Sequence, residues 1–148
     1  MTVTRVVIDS SVAVKWFVNE PDSPIAHQIL DVYREGRLTM LAPTLIYAEV
    51  ASIIWKKCVL QGMGAAPVQN VLDDFRLLDF ETIPISELVD DALRLAVEHR
   101  RTVYDALYLA LCQREQCPFV TSDERLVNAV KLAMPNVLLL SDWKKTRT

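Results

Sequence analysis

The chain has 148 residues, of which 51% are apolar and 24% charged, with a formal net charge of −3. That length suits one domain able to bury roughly 70% of its unfolded surface, and the apolar content excludes a disordered chain. The acidic balance gives no bulk-charge argument for nucleic-acid binding, and no apolar stretch reaches the ~18 residues of a membrane span.

Val6, Val7 and Ile8 form an unbroken β-branched run that suits a strand buried on both faces of a parallel sheet. It stops at Asp9, and Ser10 and Ser11 lead into a short helical segment over Val12 to Val18. Asp22 or Ser23 can cap the next helix, with Pro24 at its first position, Ile25, Ile29, Leu30 and Tyr33 inward, and Gly36 ending it. Leu38 to Ala42 reads as a second strand, stopped by Pro43. Thr44 then caps a long helix to about Leu60, whose core stripe is Ile46, Val50, Ile53 and Ile54. Tyr47, Ala51 and Trp55 make a second apolar row on that helix, which suggests packing on a neighbouring helix or on a second copy of the chain.

Gly62 and Gly64 break the chain, and Pro67 starts a helix with Val68, Val71, Leu72, Phe75 and Leu78 inward. Thr82 to Ile85 is a third strand, placed at an edge by Pro84. Ser86 caps a helix bearing Leu88, Ala92, Leu95 and Ala96 on one face. The segment Val103 to Leu111 is apolar nearly all round, as a helix buried within the fold would be. Phe119 to Thr121 is a fourth strand, Ser122 caps a helix over Glu124 to Lys131, and Val137 to Leu140 is a fifth strand. The basic tail from Ser141 to Thr148 is expected to fray. Strands alternate with helices along the whole chain, without repeats or an interior linker. The expected fold is therefore α/β: a single domain over residues 1–148, a three-layer α/β/α sandwich around a mainly parallel sheet of four to five strands.

Four acids then stand out. Asp9 and Asp123 each follow a strand, at the carboxyl edge where open α/β sheets place their ligands. Taken alone, Asp9 is explained as a helix cap, and Asp105, in the first turn of the buried helix, by the helix dipole. Glu49 lies inside its helix, beside the Ile46/Val50/Ile53 stripe rather than opposite it. An ordinary surface glutamate explains it singly, but an acid at the margin of a buried face needs a partner, which a basic side chain or a metal would supply. Oxygen ligands without His or Cys are what Mg²⁺ or Mn²⁺ prefers. Such ions can bind a phosphodiester oxygen, orient an attacking water and neutralise a leaving oxygen, and so offset the chain's acidity toward a phosphate substrate.

Other constellations are missing. Three glycines leave no phosphate-binding loop, there is no G-x-S-x-G elbow, and His27 and His99 lie far apart. Cys58, Cys112 and Cys117 fit no metal spacing and read as buried thiols of a reducing compartment. Asp9 and Lys15 interrupt the first apolar run, so no cleavable signal pattern is seen, and a cytoplasmic protein with no membrane contact is expected.

Four segments together resemble the PIN domain, most closely the VapC-type toxins of type II toxin–antitoxin systems. They are Val7-Ile8-Asp9-Ser10-Ser11 continuing to Trp16-Phe17; Ala42-Pro43 with Ala48-Glu49-Val50; Thr102-Val103-Tyr104-Asp105-Ala106-Leu107-Tyr108; and Val120-Thr121-Ser122-Asp123-Glu124-Arg125-Leu126. The resemblance spans essentially the whole chain, in the family's order and spacing. It implies a metal-dependent endoribonuclease, usually a homodimer, silenced by a cognate antitoxin protein. It further implies that Asp9 and Asp105 are principal ligands of Mg²⁺ or Mn²⁺ and that Glu49 and Asp123 complete the catalytic site. Thr121, and with it Ser10, would be supporting hydroxyls. Lys15, Arg100, Arg101 and Arg125 are the nearest basic residues that could meet RNA, with ordinary solvated charge as the plainer role. Two other readings stand beside this one: a PIN-fold interaction module without turnover, and a Mg²⁺-binding phospho-receiver. The latter fits poorly, because only one acid follows the first strand.

Overall fold

The structure, a computed structural model, describes residues 3–144. Its frame is a five-stranded parallel sheet of β1 (Thr4–Ile8), β2 (Leu38–Pro43), β3 (Glu81–Ile83), β4 (Phe119–Thr121) and β5 (Val137–Leu139), in the order β3-β2-β1-β4-β5. The chain starts in the middle, runs out to β3, then returns past β1 to lay down β4 and β5. The direction of winding therefore reverses between β1 and β4. In open α/β sheets, the crevice beyond the carboxyl ends of the strands at such a reversal is where ligands bind.

The helices are α1 (Ser10–Ala13), prolonged by a 3-10 turn at Val14–Trp16, α2 (Ser23–Arg34), α3 (Leu45–Gln61), α4 (Ala65–Arg76), α5 (Val89–His99), α6 (Val103–Glu115) and α7 (Glu124–Val130). They cover the sheet in the expected α/β/α sandwich. The central strands are apolar on both faces, and Val7, Ile8, Met40, Leu41, Phe119 and Val120 are fully enclosed. α6 supplies the largest part of one layer: Ala106 to Cys112 are all buried, which is why its sequence shows no polar stripe. It packs on β1, β2 and β4, with α5 against its outer side. An aromatic group of Trp16, Phe17, Tyr47, Phe75 and Phe80 joins α4 to α3 and to the segment after α1.

Several boundaries differ from the expectations, each for a local reason. α4 starts at Ala65, two residues before Pro67, and α5 at Val89: Ile85–Glu87 closes a 3-10 turn, so Ser86 does not cap it. α7 is capped by Asp123 rather than Ser122, since the Asp123 carboxylate accepts from the Leu126 N–H at 3.2 Å. Thr44 and Asp22 occupy cap positions without a side-chain bond, and Ser23 Oγ donates instead to the Val18 carbonyl. In the second row of α3, Tyr47 meets Phe75 of α4 edge-on at 5.7 Å, whereas Trp55 stays exposed. At the tail, Leu140–Asp142 forms a 3-10 turn and Trp143 is buried, so these residues are docked; residues 145–148 lie outside the described residues.

Candidate active site

β1 delivers Asp9 to the carboxyl edge of the sheet at the reversal of winding. The Asp9 backbone is extended, and its carboxylate accepts from the Val12 N–H at 3.3 Å, so Asp9 does cap α1. The cap uses only part of the group. Ser11 Oγ donates to Oδ1 and Thr121 Oγ1 donates to Oδ2, each at 2.6 Å. Both hydroxyls are themselves anchored by backbone: Ser122 N–H donates to Ser11 Oγ at 2.9 Å, and Asp123 N–H to Thr121 Oγ1 at 3.1 Å. The turn after β4 thus clamps the acid that ends β1.

Asp9 is only 8% exposed, and burial is the main reason its carboxyl rises from an ordinary 3.8 to about 6. The hydroxyl and amide donors pull it down, and the charge of Glu49 pushes it further up. Glu49 is half-buried, accepting at Oε1 from Tyr108 at 2.6 Å and from Ser10 at 3.4 Å. Its carboxyl is also raised, first by burial and then by the charge of Asp105, against the pull of those two donors. Asp105, in the first turn of α6, is raised by burial and by Asp123, while Thr102 and Arg101 draw it down. Tyr108 is held well above the usual phenol range by burial and by Glu49, so it remains a proton donor.

These shifts form a chain: Asp9 feels Glu49, Glu49 feels Asp105, and Asp105 feels Asp123. All four sequence-selected acids are therefore brought into one neighbourhood from β1, α3, α6 and the β4–α7 turn. Thr121 is there too, fully buried, and supports Asp9 directly. Ser10 is there, but its partner is Glu49.

Lys15 is not available to a ligand: it is 7% exposed and paired with Glu20 at 2.9 Å. Arg101 lies near Asp105, and Arg100 and Arg125 are exposed. Sequence reasoning missed Ser11 and Tyr108. Tyr108 stands three residues after Asp105, on the same helical face, and that spacing was the available signal.

The donor set suits a hard divalent cation: every polar side chain is a carboxylate or hydroxyl oxygen. Two further atoms point the same way. Among the described residues, Glu49 Oε2 has no protein donor and Ser122 Oγ is buried without a partner. Among the described residues no three Asp, Glu, His or Cys side chains draw together into a metal cage. Mg²⁺ needs none, since it is commonly held by one or two carboxylates and keeps several waters.

The family model for the PIN domain matches residues 6–132. A ribonuclease VapC3 of Pyrobaculum aerophilum is 29% identical over 126 residues, which is 82% of this chain and 92% of that protein. The crystal structure of PAE2754 from the same organism superposes with a TM-score of 0.68 at 22% identity, covering 93% of this chain and 85% of the other. A toxin–antitoxin complex from Klebsiella pneumoniae gives a TM-score of 0.62 at 17% identity, covering 91% of this chain and 97% of that one. With the matched region running from the first strand through α7, the chain belongs to the PIN domain family.

Proposed function

We propose that the protein is a divalent-metal-dependent endoribonuclease and the toxin of a type II toxin–antitoxin pair. The observation that carries this reading is the crowding of Asp9, Glu49, Asp105 and Asp123 at the sheet edge, where each acid raises or is raised by another. Their placement inside a PIN domain, and a relative named as a ribonuclease, support the reaction class.

Asp9 and Asp105 are the proposed principal ligands of Mg²⁺ or Mn²⁺, and Glu49 and Asp123 complete the site. When bound, such an ion supplies a Lewis acid for a phosphodiester oxygen and lowers the pKa of a water. The chain's own residues do the rest. Ser11 and Thr121 lock both oxygens of Asp9, and Tyr108 and Ser10 hold one oxygen of Glu49. Burial of Asp9 beneath these hydroxyls strengthens the charge interactions that Asp9 itself makes, while Glu49, Asp105 and Asp123 stay partly open. Arg101, whose charge acts on Asp105, is the proposed basic contact for a phosphate backbone.

An antitoxin partner is supported by the similarity to a toxin–antitoxin complex. Self-association is proposed on the exposed apolar side chains Trp55, Val59 and Leu60 of α3 and Leu93 and Val97 of α5. Sedimentation at high micromolar concentration as a monomer would contradict it.

Incubation of the purified chain with structured RNA, with and without EDTA, tests the main reading. Cleavage that needs added Mg²⁺ or Mn²⁺ and is lost in Asp9→Asn is expected. Undiminished cleavage by that variant would refute the mechanism.

A further inference from the structure

We propose that Tyr108 is a positioning residue of the site: it fixes which oxygen of Glu49 is left free for the bound cation. The proposal rests on the function set out above and goes beyond it to a residue outside the acidic quartet. Tyr108 is 2% exposed, and its hydroxyl donates to Glu49 Oε1 at 2.6 Å, a short charge-assisted bond. Ser10 reaches the same oxygen at 3.4 Å. Both protein donors therefore load one carboxylate oxygen, and Oε2 has none among the described residues. A glutamate side chain has three rotatable torsions and, beside another acid, would turn its charge away unless something held it.

The holder is itself held. The Tyr108 ring stacks on Phe119 with centroids 5.7 Å apart and planes 14° from parallel, and Phe119 is fully buried in β4. Thr121, two residues further along that strand, donates to Asp9. Asp105 lies one helical turn before Tyr108 on α6. One buried helix thus sets the Asp105 carboxylate directly and the Glu49 carboxylate through a phenol. The competing explanation is that Glu49 merely satisfies a buried Tyr hydroxyl, which needs a partner wherever it occurs. The two differ in what Tyr108→Phe does: it leaves no orphan on the phenylalanine side and keeps the stack, but frees Glu49.

The experiment is a Mn²⁺ titration read from the electron paramagnetic resonance of the free ion, without substrate. It uses the full chain, Tyr108→Phe, Glu49→Gln and the double variant. Tyr108→Phe should weaken Mn²⁺ binding roughly 10-fold, the scale for losing an outer partner of a metal ligand. The double variant should bind no more weakly than Glu49→Gln alone, as expected of residues acting as a unit. RNA cleavage by Tyr108→Phe should show a lower kcat with KM little changed.

Phe119→Leu, which keeps the hydroxyl but loosens its ring, provides a second variant and should give an intermediate loss. Affinity in Tyr108→Phe equal to or tighter than the parent's would overturn the proposal, as would additive losses in the double variant. If the parent binds Mn²⁺ and cleaves RNA while Tyr108→Phe is unaffected, only the role of Tyr108 fails. A parent that neither binds nor cleaves refutes the underlying function and this proposal together.

Discussion

The two ends of α6 handle charge in opposite ways. At its carboxyl end, Glu115 takes Arg5 at 3.1 Å, and Arg5 in turn takes Glu81 at 3.0 Å. Arg114 beside it pairs with Glu87 at 3.2 Å, so acids and bases alternate across a half-exposed surface. At its amino end, roughly 15 Å away at ~1.5 Å per residue, Asp105 stands beside Glu49 and Asp123, with Arg101 as its counter-charge among the described residues. The first arrangement is ordinary surface compensation. The second crowds like charges into a partly dry crevice and holds them there with hydroxyls, which costs folding energy. One end of the helix pairs its acids with arginines; the other gathers acids around a single arginine, and that imbalance is what the proposed cation would offset.

The sharpest way to break the comparison is to remove one charged group from each region. Asp9→Asn should reduce RNA cleavage by at least ~100-fold, the scale of losing an interaction aimed at developing charge. Arg5→Ala should leave cleavage unchanged, and the same gel assay reads both.

Stability should move the other way. The Asp9 carboxyl is raised in the folded chain, so the folded state holds a proton that the unfolded state has released between about pH 4 and about pH 6. The stability contributed by protonated Asp9 is fully present below the unfolded value and is lost as pH rises through about 6. At pH 7.5 without added metal, Asp9→Asn should therefore stabilise by on the order of 2 kcal/mol, or roughly 5 °C in Tm. Calorimetry at pH 4 and pH 7.5 should show that gain shrinking at the acid end.

Thr121→Val sharpens the same point. It removes the donor to Asp9 Oδ2 and an acceptor for the Asp123 N–H, and should cost about 1–3 kcal/mol in a denaturant titration. Arg5→Ala has the smallest expected effect, at most ~1 kcal/mol, because its ion pairs are half-exposed and screened.

Much of this layout was legible in the chain. The β-branched run before Asp9, the run before Asp123 and the apolar stripe of α3 located three of the four acids on their elements. Alternation of strands and helices gave the parallel sheet, and Pro84 pointed correctly to β3 as an edge.

What stayed hidden depends on long-range packing. Tyr108 sits in a helix buried all round, where a tyrosine looks like one more core residue until its hydroxyl meets Glu49, 59 positions away. Ser11 rather than Ser10 serves Asp9, a choice made by the rotation of the first turn of α1. Lys15 read as a surface base, yet the turn at Glu20 folds over it. Ser122 read as the cap of α7, yet backbone geometry after β4 gives that place to Asp123.

The central claim is that the four acids crowd together to hold a divalent ion. Its most direct test is the melting temperature at pH 7.5 with and without millimolar Mg²⁺ or Mn²⁺. The account predicts a saturable rise in Tm for the parent chain and little or none for Asp9→Asn, because an ion that binds only the folded state stabilises it. An unchanged Tm in the parent, or an equal rise in the variant, would contradict it.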